Sequence, residues 1–175
     1  MEAEQENSIG AELIPLNIPD GDYDMLVIPY EDATANLLVR LNTLNQDYRL
    51  KYKNYPIHHI QNRIKYKKSI EKKLIKRKLS VSAEEARESL TDIAGVRIIC
   101  YFEEDIYSVV SLIKKQSDIL VLIEKDYIKN PKPNGYRSYH MIVEIPVFFS
   151  NEKRQLRVEV QIRTIAMDFW ASLEH

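Results

Sequence analysis

Residues 125–140 bring together cationic, aromatic and turn-forming side chains. Three lysines, one arginine and one histidine supply positive charge, and the run Pro133-Asn134-Gly135 predicts a stiff, turning backbone. Tyr127, Tyr136 and Tyr139 offer flat faces on which a base could stack. Apolar, strand-like runs lie on both sides. This loop suits an anionic ring compound such as a nucleotide, although an ordinary surface hairpin with solubilising lysines has a similar composition.

A second group is the run from Asp92 to Arg97, where Gly95 lies between the acid and the arginine. A glycine at a helix-to-strand turn lets another group approach the backbone closely, so the three residues could form a compact polar site. The chain has four glycines, and only two of them, Gly95 and Gly135, lie outside the first 30 residues. Taken alone, Asp92 is better explained as a loop residue without a ligand.

The third group is the strand-like run 157–163, in which polar and apolar residues alternate. The two-residue period places Arg157, Glu159, Gln161 and Arg163 on one face of a strand. An acid between cations can be a solvated ladder of side chains. It can also be a carboxylate that holds Mg²⁺ beside phosphate-binding arginines, with Asp92 as the second acid.

The fourth group is Arg63, Lys65, Ser69 and Lys73. Strand alternation aligns the first two, helix spacing aligns the last two, and all four could converge at a strand-to-helix turn. The start of a helix there would add backbone N–H donors for phosphate, and an arginine plane can lie on a purine. The surrounding block 63–78 has nine basic residues against Glu71. It indicates a phosphate-rich partner or, more simply, a solvated helix face.

The elements that must position these groups follow from periodicity and capping signals. We predict an acidic, flexible arm over residues 1–30 and one domain over 31–175. Within the domain we expect helices at 31–52, 70–79 (with Ser69 as N-cap), just after Ser82, around 106–113 and at 164–175, and strands at 57–66, 96–102, 118–124, 138–148 and 155–163, the last two antiparallel. This order predicts an α+β fold with a mixed sheet of about five strands flanked by helices.

Composition excludes several classes of protein. The net charge is −1, 45% of the residues are hydrophobic and 29% are charged, which is typical of a globular domain. No apolar run approaches the roughly 20 residues of a membrane helix, and the N-terminus does not resemble a secretory signal. The single cysteine, Cys100, lies in an apolar run, so we expect a reduced core thiol in a cytoplasmic protein.

Taken together, the four groups resemble the synthetase domain of the RelA/SpoT family, and most closely the stand-alone small alarmone synthetases. The resemblance covers roughly residues 37–175. The matching motifs are Arg63/Lys65/Ser69/Lys73, Asp92-x-x-Gly95-x-Arg97, Asn130-Pro-Lys-Pro-Asn-Gly-Tyr-Arg-Ser-Tyr-His140, Glu159-Val-Gln-Ile-Arg-Thr164 and residues 167–175.

The resemblance implies a nucleotidyltransferase-like fold and transfer of pyrophosphate from ATP to the 3′-OH of GDP or GTP, which makes (p)ppGpp. It implies that Asp92 and Glu159 hold Mg²⁺ and that Glu159 activates the 3′-OH. The implied ATP contacts are Arg63 and Arg97 on adenine and Lys65, Ser69 and Lys73 on the phosphates. The implied GDP or GTP contacts are Tyr136 under guanine, together with Lys125, Lys132, Asn134, His140 and Gln161.

Other expectations remain open at the level of sequence. Ile123 stands where many long relatives carry an arginine, which leaves the choice between GDP and GTP undecided. We expect no hydrolase activity, further helices after residue 175, and a homo-oligomer, with a tetramer as the form that the resemblance implies. The alternatives are the same chemistry on a tRNA 3′ end or an adenosine nucleotide, and a non-catalytic module that binds nucleotide or RNA.

Overall fold

The computed structural model describes residues 16–174, which fold into five helices and five strands in the predicted order. The helices are α1 (Asp20–Tyr52), α2 (Lys67–Lys76), α3 (Ala83–Ser89), α4 (Glu103–Lys114) and α5 (Ile165–Leu173). The strands are β1 (Ile57–Ile64), β2 (Ala94–Cys100), β3 (Leu120–Asp126), β4 (Tyr139–Phe148) and β5 (Lys153–Thr164).

The strands form one sheet in the order β1-β2-β5-β4-β3. The β2–β5 pair is parallel, and the other three pairs are antiparallel. The predicted α+β fold with a mixed, five-stranded sheet is therefore confirmed, as is the antiparallel pairing of β4 with β5.

The alternating pattern of β5 decides which face of the sheet is covered. Val158, Val160 and Ile162 are fully buried in the core. Helices α1 and α4 both contact this strand and add apolar side chains to the same core. Arg157, Glu159 and Gln161 therefore project from the opposite face, where they remain partly exposed.

Helix α1 corrects the predicted boundary between arm and domain. The helix begins at Asp20 rather than at Glu31, so the boundary at residue 30 falls inside it, and the prediction of a flexible arm is wrong over residues 20–30. Leu26 and Tyr30 are buried, and their burial offsets the backbone hydrogen bond that Pro29 cannot make. Of the remainder of the predicted arm, residues 16–19 precede the helix, and residues 1–15 lie outside the described residues.

The capping predictions had different outcomes. Ser82 caps α3 as expected, since its Oγ accepts from the Glu85 N–H at 3.1 Å. Ser69 is not the N-cap of α2: the helix begins at Lys67, and Ser69 lies in its first turn. The helix starts earlier because the chain leaves β1 at Ile64 and Tyr66 already takes the capping position.

Two further features agree with the sequence analysis. Cys100 is buried, and burial raises the pKa of its thiol to about 12, so it is an inert core residue. In the described part of the chain, every helix is too short or too polar to cross a bilayer.

Candidate active site

Strand pairing aligns the predicted site residues in two adjacent rows across the open face of the sheet. From β1 to β3, the first row contains Arg63, Gly95, Glu159, Ile142 and Ile123. The second row contains Gln61, Arg97, Gln161, His140 and Lys125. Corresponding positions in the two rows are two residues apart on each strand, so both rows face the same side.

A cavity lies over the β1, β2 and β5 part of these rows, and we call it the Arg97 cavity. Arg63, Gly95, Arg97, Glu159 and Gln161 all contribute to its lining. A Cβ on Gly95 would lie 3.7 Å from the side chain of Arg63. The absence of a side chain at Gly95 therefore leaves open space in the cavity between Arg63 and Arg97. Of the residues assigned to ATP by resemblance, Arg63 and Arg97 are brought together here.

A second cavity lies over the β4 and β3 part of the rows, and we call it the His140 cavity. Its lining includes Lys125, Tyr127, Lys132, His140 and Glu159. Three residues assigned to GDP or GTP by resemblance therefore meet in one place. Gln161, assigned to the same nucleotide, lines the Arg97 cavity instead, while Glu159 lines both.

Asp92 lies between two lysines at the edge of the site. Its Oδ2 is 2.7 Å from Nζ of Lys73 and 3.0 Å from Nζ of Lys65. Burial raises the pKa of Asp92, but the hydrogen bonds and charges of the two lysines outweigh that effect and hold the pKa below its usual value. The predicted convergence of Lys65 and Lys73 is thus present, although they converge on an acid. Ser69, in the first turn of α2, lines neither of the two cavities.

Tyr136 lies at the base of the loop before β4 and lines neither cavity, but it contacts residues that line the His140 cavity. Its hydroxyl lies 2.8 Å from Nε2 of His140 and 2.6 Å from the guanidinium of Arg163. Asn134 holds the turn beside it, since its Oδ1 accepts from the backbone N–H of Tyr136 at 3.1 Å. The ammonium of Lys132 lies 5.1 Å from the centre of the Tyr136 ring.

His140 is neutral at physiological pH. Burial and the positive charges of Lys132, Arg163 and Lys125 lower its pKa from 6.5 to about 4. A neutral imidazole can accept a hydrogen bond at Nε2, as the contact with Tyr136 requires if the tyrosine hydroxyl donates.

The donor set is compatible with a divalent ion. Oδ1 of Asp92 is buried and has no hydrogen-bond partner among the described residues. Asp92 itself lines neither of the two cavities, although Thr91, next to it in the chain, lines the His140 cavity together with Glu159. No group of three or more potential metal ligands occurs in residues 16–174, but Mg²⁺ in phosphoryl-transfer sites typically takes one or two carboxylates together with substrate oxygens.

The structure adds one residue to the site, Asp168, to which the sequence assigns no role. Asp168, in the first turn of α5, lies 3.1 Å from Arg163 and 3.5 Å from Arg97. Arg163, which the sequence offers as an arginine that could bind phosphate beside Glu159, is paired with Asp168 instead. The only early signal for Arg163 was the shared alternation with Glu159 and Gln161, because the contact with α5 depends on where that helix packs.

A comparison with protein families decides the affiliation. The family model described as "Region found in RelA / SpoT proteins" matches residues 62–175, which include every group described above. The chain belongs to the RelA/SpoT family. The resemblance stated from the motifs is therefore confirmed.

Individual members of the RelA/SpoT family are similar over most of their length. GTP pyrophosphokinase YwaC of Bacillus subtilis is 45% identical over 154 residues, which are 88% of this chain and 73% of the relative. The small alarmone synthetase 1 of B. subtilis, solved with its product pppGpp, is 35% identical with a TM-score of 0.81, and the match covers 89% of this chain and 79% of that one. The same synthetase bound to AMPCPP gives 31% identity and a TM-score of 0.74, covering 89% and 77%.

Proposed function

We propose that this protein is a GTP pyrophosphokinase that transfers pyrophosphate from ATP to the 3′-OH of GDP or GTP, yielding AMP and (p)ppGpp. One observation carries the proposal: Glu159 lines both the Arg97 cavity and the His140 cavity, so one carboxylate borders two adjoining spaces. A reaction between two nucleotides needs such a pair of spaces with an acid at their junction. Relatives named as GTP pyrophosphokinases, and one synthetase solved with pppGpp, support the assignment.

ATP would occupy the Arg97 cavity. Arg63 and Arg97 lie on either side of the space that the missing side chain of Gly95 leaves open, and they would hold the adenine between their guanidinium planes. Lys65 and Lys73 would exchange the carboxylate of Asp92 for ATP phosphate oxygens, and Ser69 in the first turn of α2 would add a hydroxyl and a helix N-terminus.

GDP or GTP would occupy the His140 cavity. Lys125 and Lys132 supply positive charge for its phosphates, and His140 supplies a neutral imidazole. Tyr136 would stack on guanine, with Asn134 holding the turn that presents the ring. Gln161, in the row next to Glu159, would contact the acceptor where the two cavities meet.

Mg²⁺ would be held by Asp92 and Glu159, and when bound it would neutralise the charge that develops on the phosphate oxygens. Glu159 would accept the proton of the 3′-OH as the 3′ oxygen forms its bond to the β-phosphorus of ATP. The bond between that phosphorus and the oxygen bridging to the α-phosphorus breaks, and AMP leaves. The remaining side chains hold the two nucleotides in line, which is most of what phosphoryl transfer requires from a protein.

An acceptor panel tests the proposal. The protein is incubated with Mg²⁺ and labelled ATP, and with GDP, GTP, ADP or a tRNA in turn, with Glu159→Gln as the matched inactive variant. We expect labelled (p)ppGpp and AMP with GDP or GTP, and a rate at least 100-fold lower for the variant. If only tRNA or only ADP were labelled, the protein would carry out the same chemistry on that acceptor instead. Absence of AMP in every mixture would refute the proposed activity and would favour a non-catalytic module that binds nucleotide or RNA.

Two further properties belong to the proposal. A cytoplasmic location is supported by the composition and by the reduced, buried Cys100. Assembly into a homo-oligomer, with a tetramer as the expected form, is supported by large apolar side chains exposed along α1, including Met25, Val39 and Leu50. Light scattering measures the assembly, and a monomer at micromolar concentration would contradict it.

A further inference from the structure

Arg163 lies near the end of β5 and is unusual for a charged residue in being only 5% exposed. Its guanidinium donates to the hydroxyl of Tyr136 at 2.6 Å, to Oε1 of Gln161 at 3.0 Å and to Oδ1 of Asp168 at 3.1 Å. Arg163 lines neither cavity. Its effect on a bound nucleotide must therefore pass through these partners.

The three partners belong to different parts of the site. Tyr136 comes from the loop before β4 and contacts His140, which lines one cavity. Gln161 lines the other cavity. Asp168 comes from α5 and lies 3.5 Å from Arg97, which lines the same cavity as Gln161. One buried cation thus connects a loop, a strand and a helix on the two sides of the site.

The contact with Tyr136 also determines which hydrogen bond the tyrosine makes next. The N–H of Arg163 donates to the phenolic oxygen, so the phenolic proton is free to be donated to Nε2 of His140. His140 then carries its own proton on Nδ1. In this arrangement Arg163 orients the ring of Tyr136 and selects one tautomer of His140.

We propose that Arg163 is a positioning residue that sets the Tyr136 ring and the His140 tautomer for the acceptor nucleotide and, through Asp168, holds Arg97 for the donor. The acceptor and donor roles in this statement rest on the proposed function, whereas the hydrogen-bond chain from Arg163 to His140 does not. A guanidinium is required because it presents several donors in a fixed planar fork, whereas an ammonium is a single point charge that cannot hold three partners in that geometry.

The first test is made without nucleotide. Two-dimensional ¹H–¹⁵N spectra of the imidazole nitrogens are recorded for the wild type, Arg163→Gln and Arg163→Lys. Arg154→Gln is the control, because it removes one cation from the same strand at an exposed pair with Glu152. We expect a single His140 tautomer with Nε2 unprotonated in the wild type and the control, and a mixture of tautomers in both Arg163 variants. Circular dichroism verifies that each variant is folded.

The second test is a double-mutant cycle on GDP binding, measured by calorimetry for the wild type, Arg163→Lys, Tyr136→Phe and the double variant. If Arg163 acts through the hydroxyl of Tyr136, each single variant should weaken GDP binding about tenfold, and the double variant should be little weaker than either. Independent, multiplying effects would overturn the proposal, as would an unchanged His140 tautomer in folded Arg163 variants. A wild type that binds no GDP would instead refute the proposed function, and the spectra would still decide the role of Arg163.

Discussion

Lys73 and Asp92 form the shortest ion pair at the site, with Nζ 2.7 Å from Oδ2, and Lys65 approaches the same oxygen at 3.0 Å. All three side chains are largely enclosed: Lys73 is 29% exposed, Lys65 is 14% exposed and Asp92 is 12% exposed. Two ammonium groups therefore share one carboxylate, and neither lysine keeps this charge partner if Asp92 is lost.

The first prediction concerns Asp92→Asn. The change leaves two enclosed lysines facing each other without their acid, so we expect the free energy of unfolding to fall by about 1–3 kcal/mol and activity to be lost. Urea denaturation measures the stability. Asp118→Asn is the control, since it removes an acid from the more exposed pair with Arg40 and should cost about 0–1 kcal/mol. Equal losses for the two variants would contradict the prediction.

The second prediction concerns pH and His140, whose pKa is lowered from 6.5 to about 4 by burial and neighbouring cations. Between these two values the unfolded chain binds a proton that the folded chain does not, so the free energy of unfolding should fall as the pH decreases from 6.5 towards 4. Above 6.5 the imidazole is neutral in both states and contributes no slope.

The measurement for His140 is chemical denaturation at a series of pH values, for the wild type and for His140→Gln. The variant should lose part of the slope in this range while keeping the slope due to carboxylates. Superimposable pH profiles for the two proteins would show that the His140 pKa is not lowered in the folded state.

The third prediction concerns Gly95→Ala. The nearest atoms to the added methyl group would be side-chain atoms of Arg63 at 3.7 Å and the carbonyl oxygen of Glu159 at 4.0 Å, which are ordinary contact distances. The fold should therefore tolerate the change, with a free energy of unfolding within about 1 kcal/mol of the wild type.

The same methyl group would rise into the Arg97 cavity, so the affinity for an ATP analogue should fall by about tenfold or more while GDP affinity changes little. Gly21→Ala is the control, because nothing lies within 4 Å of the added group and α1 should gain stability from it. Unchanged analogue binding by Gly95→Ala would argue against a nucleotide in this cavity.

The fourth prediction concerns Gly135→Ala in the loop before β4. Gly135 has a φ of +85°, and an added Cβ would lie 3.3 Å from the Trp170 ring, so alanine is strained in both backbone and packing. We expect a loss of about 1–2 kcal/mol in unfolding free energy and weaker acceptor binding, because Tyr136 is the next residue. Trp170 is the only tryptophan in the chain, so its fluorescence reports the change directly. An unchanged spectrum and unchanged GDP binding would contradict the prediction.

Much of the fold could be predicted because its signals are local. The alternation of β5 identified its polar face, and that face is the one left open by the core. Features that depend on packing between distant segments could be predicted less well from the sequence. Helix α1 begins earlier than predicted, because the burial of Leu26 and Tyr30 that stabilises its first turns depends on packing against the rest of the domain.

The site shows the same division. The residue types alone indicated a nucleotide, and the motif spacing indicated the family, because both are properties of the order of residues along the chain. Only the tertiary structure decided that Gly95 pairs with Glu159, that Glu159 borders both cavities and that Asp168 reaches Arg163 and Arg97. These relationships depend on strand register and helix docking, which are set by burial between segments far apart in sequence and so leave no periodic trace in either segment.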